Sequence, residues 1–241
     1  CWQYWIVNHD VRANIVAVDG KSEFLFSTRL DRPDQTPDDA TVAAAFRLSI
    51  GRDIPTEFIA HATWTAGQAF VAERFGHGRA WMAGDSVHLF TPTGGFGMNT
   101  GMDDASNLAW KLAALVQGWG GAGLLKSYEI ERKPIAERNT LAARDLAKEL
   151  ARMPPTEAIE EHSPAGEAAR REVSAHVSTM GEEYASIGVQ LGARYDGSPI
   201  VATDGTPPAD DYLRYVPSSV PGGRAPHVWL NGGRGYGDSL F

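Results

Sequence analysis

The sequence predicts a mixed α/β protein of the α+β kind, with strands and helices in separate stretches of the chain. Three observations predict it. Residues 2 to 28 hold three short β-branched and aromatic runs divided by tight turns; residues 78 to 117 read as strand, glycine-rich loop and helix; residues 134 to 190 carry helical spacing.

Taken in order, strands at 2 to 8, 12 to 18 and 22 to 28 are joined by "HDVR" and "VDGK". The Asp19-Gly20 pair is a hairpin signal, so the three form an antiparallel meander. "DATVAAAFRLSI", 39 to 50, reads as a short helix, and further strands are expected near 56 to 62, 69 to 75 and 78 to 83. Within 103 to 117, Ala105, Leu108, Ala109, Leu112, Ala113 and Val116 recur at spacings of three and four, forming one apolar stripe. A second helix is placed from Pro134, a residue suited to a first turn, through Ile135, Ala142, Leu146 and Leu150. After the proline-rich break "RMPPTEAIEEHSPAGE", helix returns over 165 to 190. From 191 onward proline and glycine mark a linker leading into a strand at "HVWL".

Composition narrows the function. A chain of 241 residues, 43% hydrophobic, can fill a core. The net charge of -8 and the lack of a basic run argue against nucleic acid, because neutralising phosphates needs clustered Lys and Arg. No window reaches the roughly 18 apolar residues of a membrane span. Small molecules are the expected partners. The single cysteine, Cys1, excludes an internal disulfide and fits a reducing, cytoplasmic compartment. The chain opens inside a strand pattern and stops at "YGDSLF" in mid-pattern, so it reads as a piece of something longer.

The chemistry concentrates in "GDSVHLFTPTGGFGMNTGMDDASNLAWKL", 84 to 112. "RAWMA" reads as a buried strand ending at Gly84-Asp85, which puts the Asp85 carboxylate at a strand's carboxyl end, where it can accept hydrogen bonds from hydroxyls. Pro92, Gly94, Gly95 and Gly97 then shape a loop directly before a helix that starts near Asn99 or Thr100. Unpaired N–H groups and the positive end of the helix dipole face that loop, an arrangement suited to a planar group carrying negative charge. On spacing alone, Asp85 serves equally well as a turn cap and the glycines as a tight strand-to-helix connection.

The stretch "GRAWMAGDSVHLFTPTGGFGMNTGMDDASNLAWKLAALVQG" closely resembles the second flavin-binding motif of the FAD-dependent aromatic hydroxylases of the para-hydroxybenzoate hydroxylase type. Gly84-Asp85, His88, Pro92, Gly94-Gly95, Gly97-Met98-Asn99, Asp104-Ala105, Asn107-Leu108 and Trp110-Lys111-Leu112 stand where that pattern has them. "LLKSYEIERKPIA" is similar to the family's next segment, and "YVPSSVPGGRAPHVWL" resembles the start of the thioredoxin-like domain of its phenol and polyketide hydroxylase branch. The resemblance implies three regions: a substrate-domain sheet at 1–77, the second FAD motif with helices at 78–190, and a linker with the truncated thioredoxin-like start at 191–241. It implies that Asp85 binds the ribityl chain, that Pro92 lies beside the isoalloxazine, that the backbone of Gly97, Met98 and Asn99 meets the ring's pyrimidine edge, and that Gly84 and Gly95 belong to the same cofactor site. It further implies that NAD(P)H reduces the flavin, that O2 adds to give a C4a-hydroperoxide, and that an oxygen passes to a phenolic or polyketide-type aromatic ring.

Trp2, Tyr4, Ile6 and Asn8 share one face of the first strand, since strand side chains alternate. In the resembled fold that sheet covers the aromatic substrate, so Tyr4 and Asn8 are candidate substrate residues; an ordinary aromatic core explains the same pattern. Trp64 and Arg74 read as structural. The family's opening G-x-G-x-x-G has no counterpart in proper context. "GWGGAG", 118 to 123, fits the letters but follows a helix, so it reads as a helix stop, and "VDG" at 18 to 20 is a turn. The adenosine side of FAD is therefore expected on a missing N-terminal half, and this piece alone is expected to bind FAD weakly or not at all. The histidines show no metal-ligand spacing, so no metal is expected, and His88 reads as a loop histidine without a catalytic role. Two rival readings exist. "GDSV" at 84 and "GDSL" at 237 resemble the nucleophile block of GDSL-type serine hydrolases, with Ser86 or Ser239 attacking an ester, although neither leads into a helix as that chemistry requires. Alternatively the piece is a non-catalytic remnant, its helices offering a face for a homodimer.

Overall fold

The computed structural model describes residues 2–30, 32, 35–64, 68–121, 123–154 and 157–230. The alternating runs at the start form the expected meander: β1 (Gln3–Val7), β2 (Arg12–Ala17) and β3 (Phe24–Thr28) pair antiparallel in sequence order, with Tyr4 opposite Ile15 and Ile15 opposite Phe26. Asp19 makes the second turn by accepting the backbone N–H groups of Lys21, Ser22 and Glu23, which hold its carboxyl well below the usual range. The helix α1 (Asp39–Ile50) matches its expected span because both ends are capped. Asp38 accepts from the Thr41 N–H at 2.8 Å, and Gly51 closes the other end at φ 73°, where a side chain would be strained. Its Phe46 meets Phe26 edge to face, 5.4 Å between centroids, so α1 covers the sheet face that carries Ile15. Contacts group the chain into two compact units, Cys1–Thr65 with Arg152–Thr179 and Ala66–Ala151 with Met180–Phe241. The first contains this sheet and α4 (Pro164–Thr179), whose Ser163 hydroxyl caps Gly166 N–H at 3.1 Å.

The second unit departs from the strands the sequence suggests. Residues 56 to 62 are irregular, and the runs at 69 to 75 and 78 to 83 shrink to two-residue ladders. β4 (Phe70–Val71) pairs with β7 (His88–Leu89), and β5 (Gly76–His77) pairs with β6 (Ala80–Trp81). "RAWMA" is thus not a buried strand, and Met82 is exposed. What orders this hairpin is α3 (Leu124–Ala151): Glu129 accepts the Phe75 N–H at 2.6 Å, the Tyr128 hydroxyl donates to Met82 O at 2.9 Å, and Lys133 Nζ donates to Glu73 O. Long-range side-chain bonds replace the ladder bonds that the pattern anticipated.

The helix α3 begins ten residues before Pro134, which therefore lies in its interior. A proline there removes one backbone bond, normally breaking the helix. Pro134 and Ile130, whose carbonyl loses its partner, both lie on the exposed side of the helix, while the opposite face is anchored through Tyr128, Glu131 and Arg132. The expected helix over 165 to 190 is three pieces, α4, α5 (Glu182–Ala185) and α6 (Ile187–Leu191), and "HVWL" forms no strand. "GWGGAG" is a helix stop as expected, Gly118 standing at φ 79° with Trp119 and Gly120 N–H groups on Ala114 O.

The core of this unit is Phe75, Val87, Leu108, Tyr128 and Ala136, with a second cluster of Phe96, Ala142, Ala143 and Val189. Phe75 is fully buried against Tyr128 and His88. Replacing it by Ala should cost about 3–5 kcal/mol of unfolding free energy, read by urea denaturation of the chain. A loss under about 1 kcal/mol would show that the hairpin does not depend on this contact.

Candidate functional site

The 84 to 112 stretch folds as two turns laid against one long helix, α2 (Phe96–Val116). The first turn, Gly84–Ser86, is closed by Val87 N–H on Gly84 O and by Ser86, whose Oγ donates to Ala83 O at 2.7 Å and accepts from Ala83 N. Gly84 adopts φ 61°, and it sits so close to α2 that a Cβ built on Gly101 would lie 3.2 Å from Gly84 Cα. At the tip, Asp85 is exposed and makes no hydrogen bond or ion pair among the described residues. Because Ser86 is committed to Ala83 and His88 to Asp104, no serine–histidine pair forms here. That removes the hydrolase reading at Ser86; Ser239 lies outside the described residues.

The second turn, Thr93–Gly95, follows Pro92 and carries two left-handed glycines, Gly94 at φ 79° and Gly95 at φ 65°. Its inner side is tied down by buried Thr93 and by Gly94 N–H, which donates to Glu183 Oε1 at 3.2 Å. Burial pushes the Glu183 carboxyl up, against the smaller opposite pull of that N–H. α2 starts at Phe96, three residues earlier than expected, because the buried Phe96 ring anchors its first turn and Gly95 serves as N-cap. Glycine offers no side chain to cap the first-turn N–H groups, which lack acceptors within the helix. A Cβ on Gly95 would meet nothing within 4 Å, so the space before the helix mouth is open. Pro92, Gly95, Met98 and Asn99 are exposed at this mouth, and Asn99 Nδ2 folds back onto Gly95 O at 2.8 Å. The seven residues Gly84, Asp85, Pro92, Gly95, Gly97, Met98 and Asn99 therefore lie on two turns braced by the N-terminal half of one helix.

Beneath them lies a charged layer from which water is excluded. Asp104, fully buried, accepts at Oδ2 from Gly84 N at 3.1 Å and contacts His88 Nε2 at 2.6 Å, while Oδ1 accepts from Arg132 Nε at 2.7 Å. Arg132 continues to Tyr195 Oη and Thr100 O, and Asn139 bonds the Thr100 hydroxyl. One turn along, Glu131 takes Lys111 Nζ and Asn107 Nδ2 on Oε2 and Ser198 Oγ on Oε1, at 2.6 to 2.7 Å. Burial raises both carboxyls, but the surrounding donors and cations outweigh it and hold Asp104 and Glu131 below the usual carboxylate range.

This layer corrects the reading of α2. Its buried face is Thr100, Asp104, Asn107, Leu108 and Lys111, whereas Ala105, Ala109, Leu112, Ala113 and Val116 of the apolar stripe face outward. Sequence reasoning does not single out Arg132, Glu131 and Lys111 as supports, because buried ionic residues carry the same letters as a solvated face; on α2 the spacing of three and four through Thr100, Asp104, Asn107 and Lys111 is the available signal, and Glu131 and Arg132, on α3, leave none. The substrate candidates belong to the other unit. Tyr4 is half-exposed, and Asn8 is engaged in the β1–β2 turn, accepting Asp10 and Val11 N–H groups and donating to Leu48 O. No cluster of metal-binding side chains and no helix able to cross a membrane occurs among the described residues.

A pH dependence follows. Since the folded-state values of Asp104 and Glu131 lie below their unfolded ones, their stabilisation is complete above the unfolded range, near pH 4, and fades as pH falls through the folded values. Chemical denaturation of the chain should show stability flat from pH 7 to about 5 and declining below about 4, with Asp104→Asn flattening the decline; an equal decline in that variant would exclude Asp104 as its source.

A family model described as "FAD binding domain" matches residues 2–143. A Streptomyces halstedii protein named "Putative polyketide hydroxylase" is 36% identical over 233 residues, covering 94% of this chain and 38% of its own length. The 2,4-dichlorophenol 6-monooxygenase of Cupriavidus pinatubonensis is 32% identical, at 82% and 36% coverage. Among solved structures, the flavin-dependent monooxygenase PieE, in complex with FAD and substrate, superimposes with TM-score 0.77 at 30% identity, covering 93% of this chain and 42% of that one. The rebeccamycin biosynthetic enzyme RebC with reduced flavin also reaches TM-score 0.77, at 31% identity, 94% and 41% coverage. The chain thus spans about two fifths of the length of these relatives. By its match over residues 2–143, the chain belongs to the FAD binding domain family.

Proposed function

We propose that this chain supplies the ribityl- and ring-binding side of the FAD site in a monooxygenase that hydroxylates a phenolic or polyketide-type aromatic ring, using NAD(P)H and O2. The observation that carries the reading is the partnerless Asp85 carboxylate, held on a turn that is locked to the same helix whose N-terminal N–H groups lack a cap. Asp85 accepts hydrogen bonds from the ribityl hydroxyls. The free first-turn N–H groups of Gly97 and Met98 would face the carbonyl edge of the pyrimidine ring with Asn99 beside them, and the positive end of α2 favours the negative charge of the reduced form. Pro92 and Gly95, open to one side, leave room for a flat ring without a Cβ in its way. When bound, FAD supplies the redox chemistry, taking a hydride from NAD(P)H and passing one atom of O2 to the substrate while the other leaves as water. Tyr4, on the sheet of the first unit, is the proposed substrate-side residue, and Asn8 supports that strand's turn.

The outward stripe on α2 completes the reading. Met98, Met102, Trp110, Leu112 and Val116 are all exposed, and Val116 is 88% accessible. An apolar face of that extent on a helix whose other face is ionic is a packing surface. We assign it to the segment that holds the ADP half of FAD, the N-terminal half expected from the sequence; the relatives' additional length has room for such a segment. The single cysteine and the lack of a membrane-length helix among the described residues support a cytoplasmic enzyme.

Two outcomes check this. In the full-length holoenzyme, Asp85→Asn should weaken FAD binding about tenfold or more, roughly 1.4 kcal/mol or more, measured by the recovery of flavin fluorescence on dilution; unchanged affinity would remove Asp85 from the site. The 241-residue chain purified alone should lose flavin on gel filtration. Retention of one FAD per chain would mean that no further segment is needed.

A further inference from the structure

The mouth of α2 and the Asp85 turn are joined by a group that touches neither ligand nor solvent. Asp104 spans the turn from end to end: one carboxylate oxygen takes the Gly84 N–H at 3.1 Å and the His88 ring at 2.6 Å, so Asp85 sits on a loop whose two ends close on a single oxygen. The other oxygen is fixed from behind by Arg132, which also grips Thr100 O on α2 and Tyr195 Oη. Asp104 cannot shift without dragging the turn along, and it has nowhere to shift to, being fully buried. A second restraint acts independently of charge. Gly84 and Gly101 pack backbone to backbone, so that a Cβ at Gly101 would stand 3.2 Å from Gly84 Cα and the turn would have to give by a few tenths of an ångström. His88 and Arg132 are the ionisable groups bonded to Asp104, and Tyr195 lies beyond Arg132.

We propose that Asp104, braced by Arg132 and by the Gly84–Gly101 contact, is a positioning residue that sets FAD affinity through Asp85 without touching the flavin. This rests on the reading of Asp85 as the ribityl acceptor. A hydrogen bond to a flexible chain gains affinity only when its acceptor is already in place, so a buried carboxylate that fixes the acceptor's loop contributes to binding at a distance.

The test is a double-mutant cycle on FAD affinity in the full-length holoenzyme, with apoprotein titrated by FAD and read by flavin fluorescence. Asp104→Asn and Asp85→Asn should each weaken binding about tenfold or more, and the double variant should bind no more than about threefold weaker than Asp85→Asn alone. Lumiflavin, which has the ring but no ribityl chain, should bind wild type and Asp104→Asn equally. Gly101→Ala provides a second route should Asp104→Asn fail to fold: it should weaken FAD with the same non-additivity toward Asp85→Asn and leave lumiflavin unchanged. The proposal is overturned if Asp85→Asn weakens FAD while Asp104→Asn and Gly101→Ala do not, if the effects multiply, or if lumiflavin weakens as much as FAD. An unchanged Asp85→Asn overturns the functional reading itself, and the inference with it, so the two failures are distinguishable.

Discussion

The second unit depends on a single carboxylate removed from water. Asp104 sits where an aliphatic residue would ordinarily fill the contact between α2 and its neighbours, and it is acceptable there because both carboxylate oxygens are engaged, Oδ2 by Gly84 and His88 and Oδ1 by Arg132. Isolated, such a charge would cost several kcal/mol or more. Paired, it fixes three segments distant in sequence relative to one another, with a directionality that Leu or Val could not supply. Lys111 and Glu131 repeat the device one turn further along and tie in Ser198 from the irregular stretch after α6.

The consequence is a division of labour within α2. Its inner face sets Thr100, Asp104, Asn107 and Lys111 among Phe96, Leu108 and Ala114 and specifies geometry, whereas its outer face exposes an apolar stripe that offers area. A helix in a globular protein ordinarily does the reverse. Rigidity is therefore concentrated where the turns meet the helix, and adhesion is displaced to the surface that carries Trp110 stacked on Trp119 at 6.5 Å. Such an arrangement lets the turns at 84 to 86 and 93 to 95 keep their shape independently of what covers the apolar side.

Much of this was legible in the sequence where the signal is local. The meander, its Asp-Gly turn and α1 follow from alternation and caps that lie within a few residues of what they organise. The glycine letters of the 84 to 112 stretch mark its two left-handed turns and the helix start that follows them, because such turns have few alternatives. What escaped was non-local. The partners of Asp104 and Asn107 lie 16 to 28 residues away, and the hairpin at 73 to 82 is held by side chains of α3 some 46 to 60 positions on, so no window of sequence contains both halves of those bonds. The stripe on α2 was read with correct periodicity and the wrong side, since spacing identifies a face but does not say which face is inward. Pro134 misled for a related reason: a missing amide terminates a helix only where the broken rung is buried, and here it lies on the exposed side.

The paired charges under the turns also bear on temperature. Hydration of ions becomes less favourable on warming, so the desolvation cost of Arg132–Asp104 and Lys111–Glu131 shrinks as heat weakens other contributions. Local opening on heating will therefore begin in irregular segments such as 56 to 62, and the Gly84 and Val87 amides, bonded to Asp104 and to Gly84 O, will exchange later than the amides of those segments.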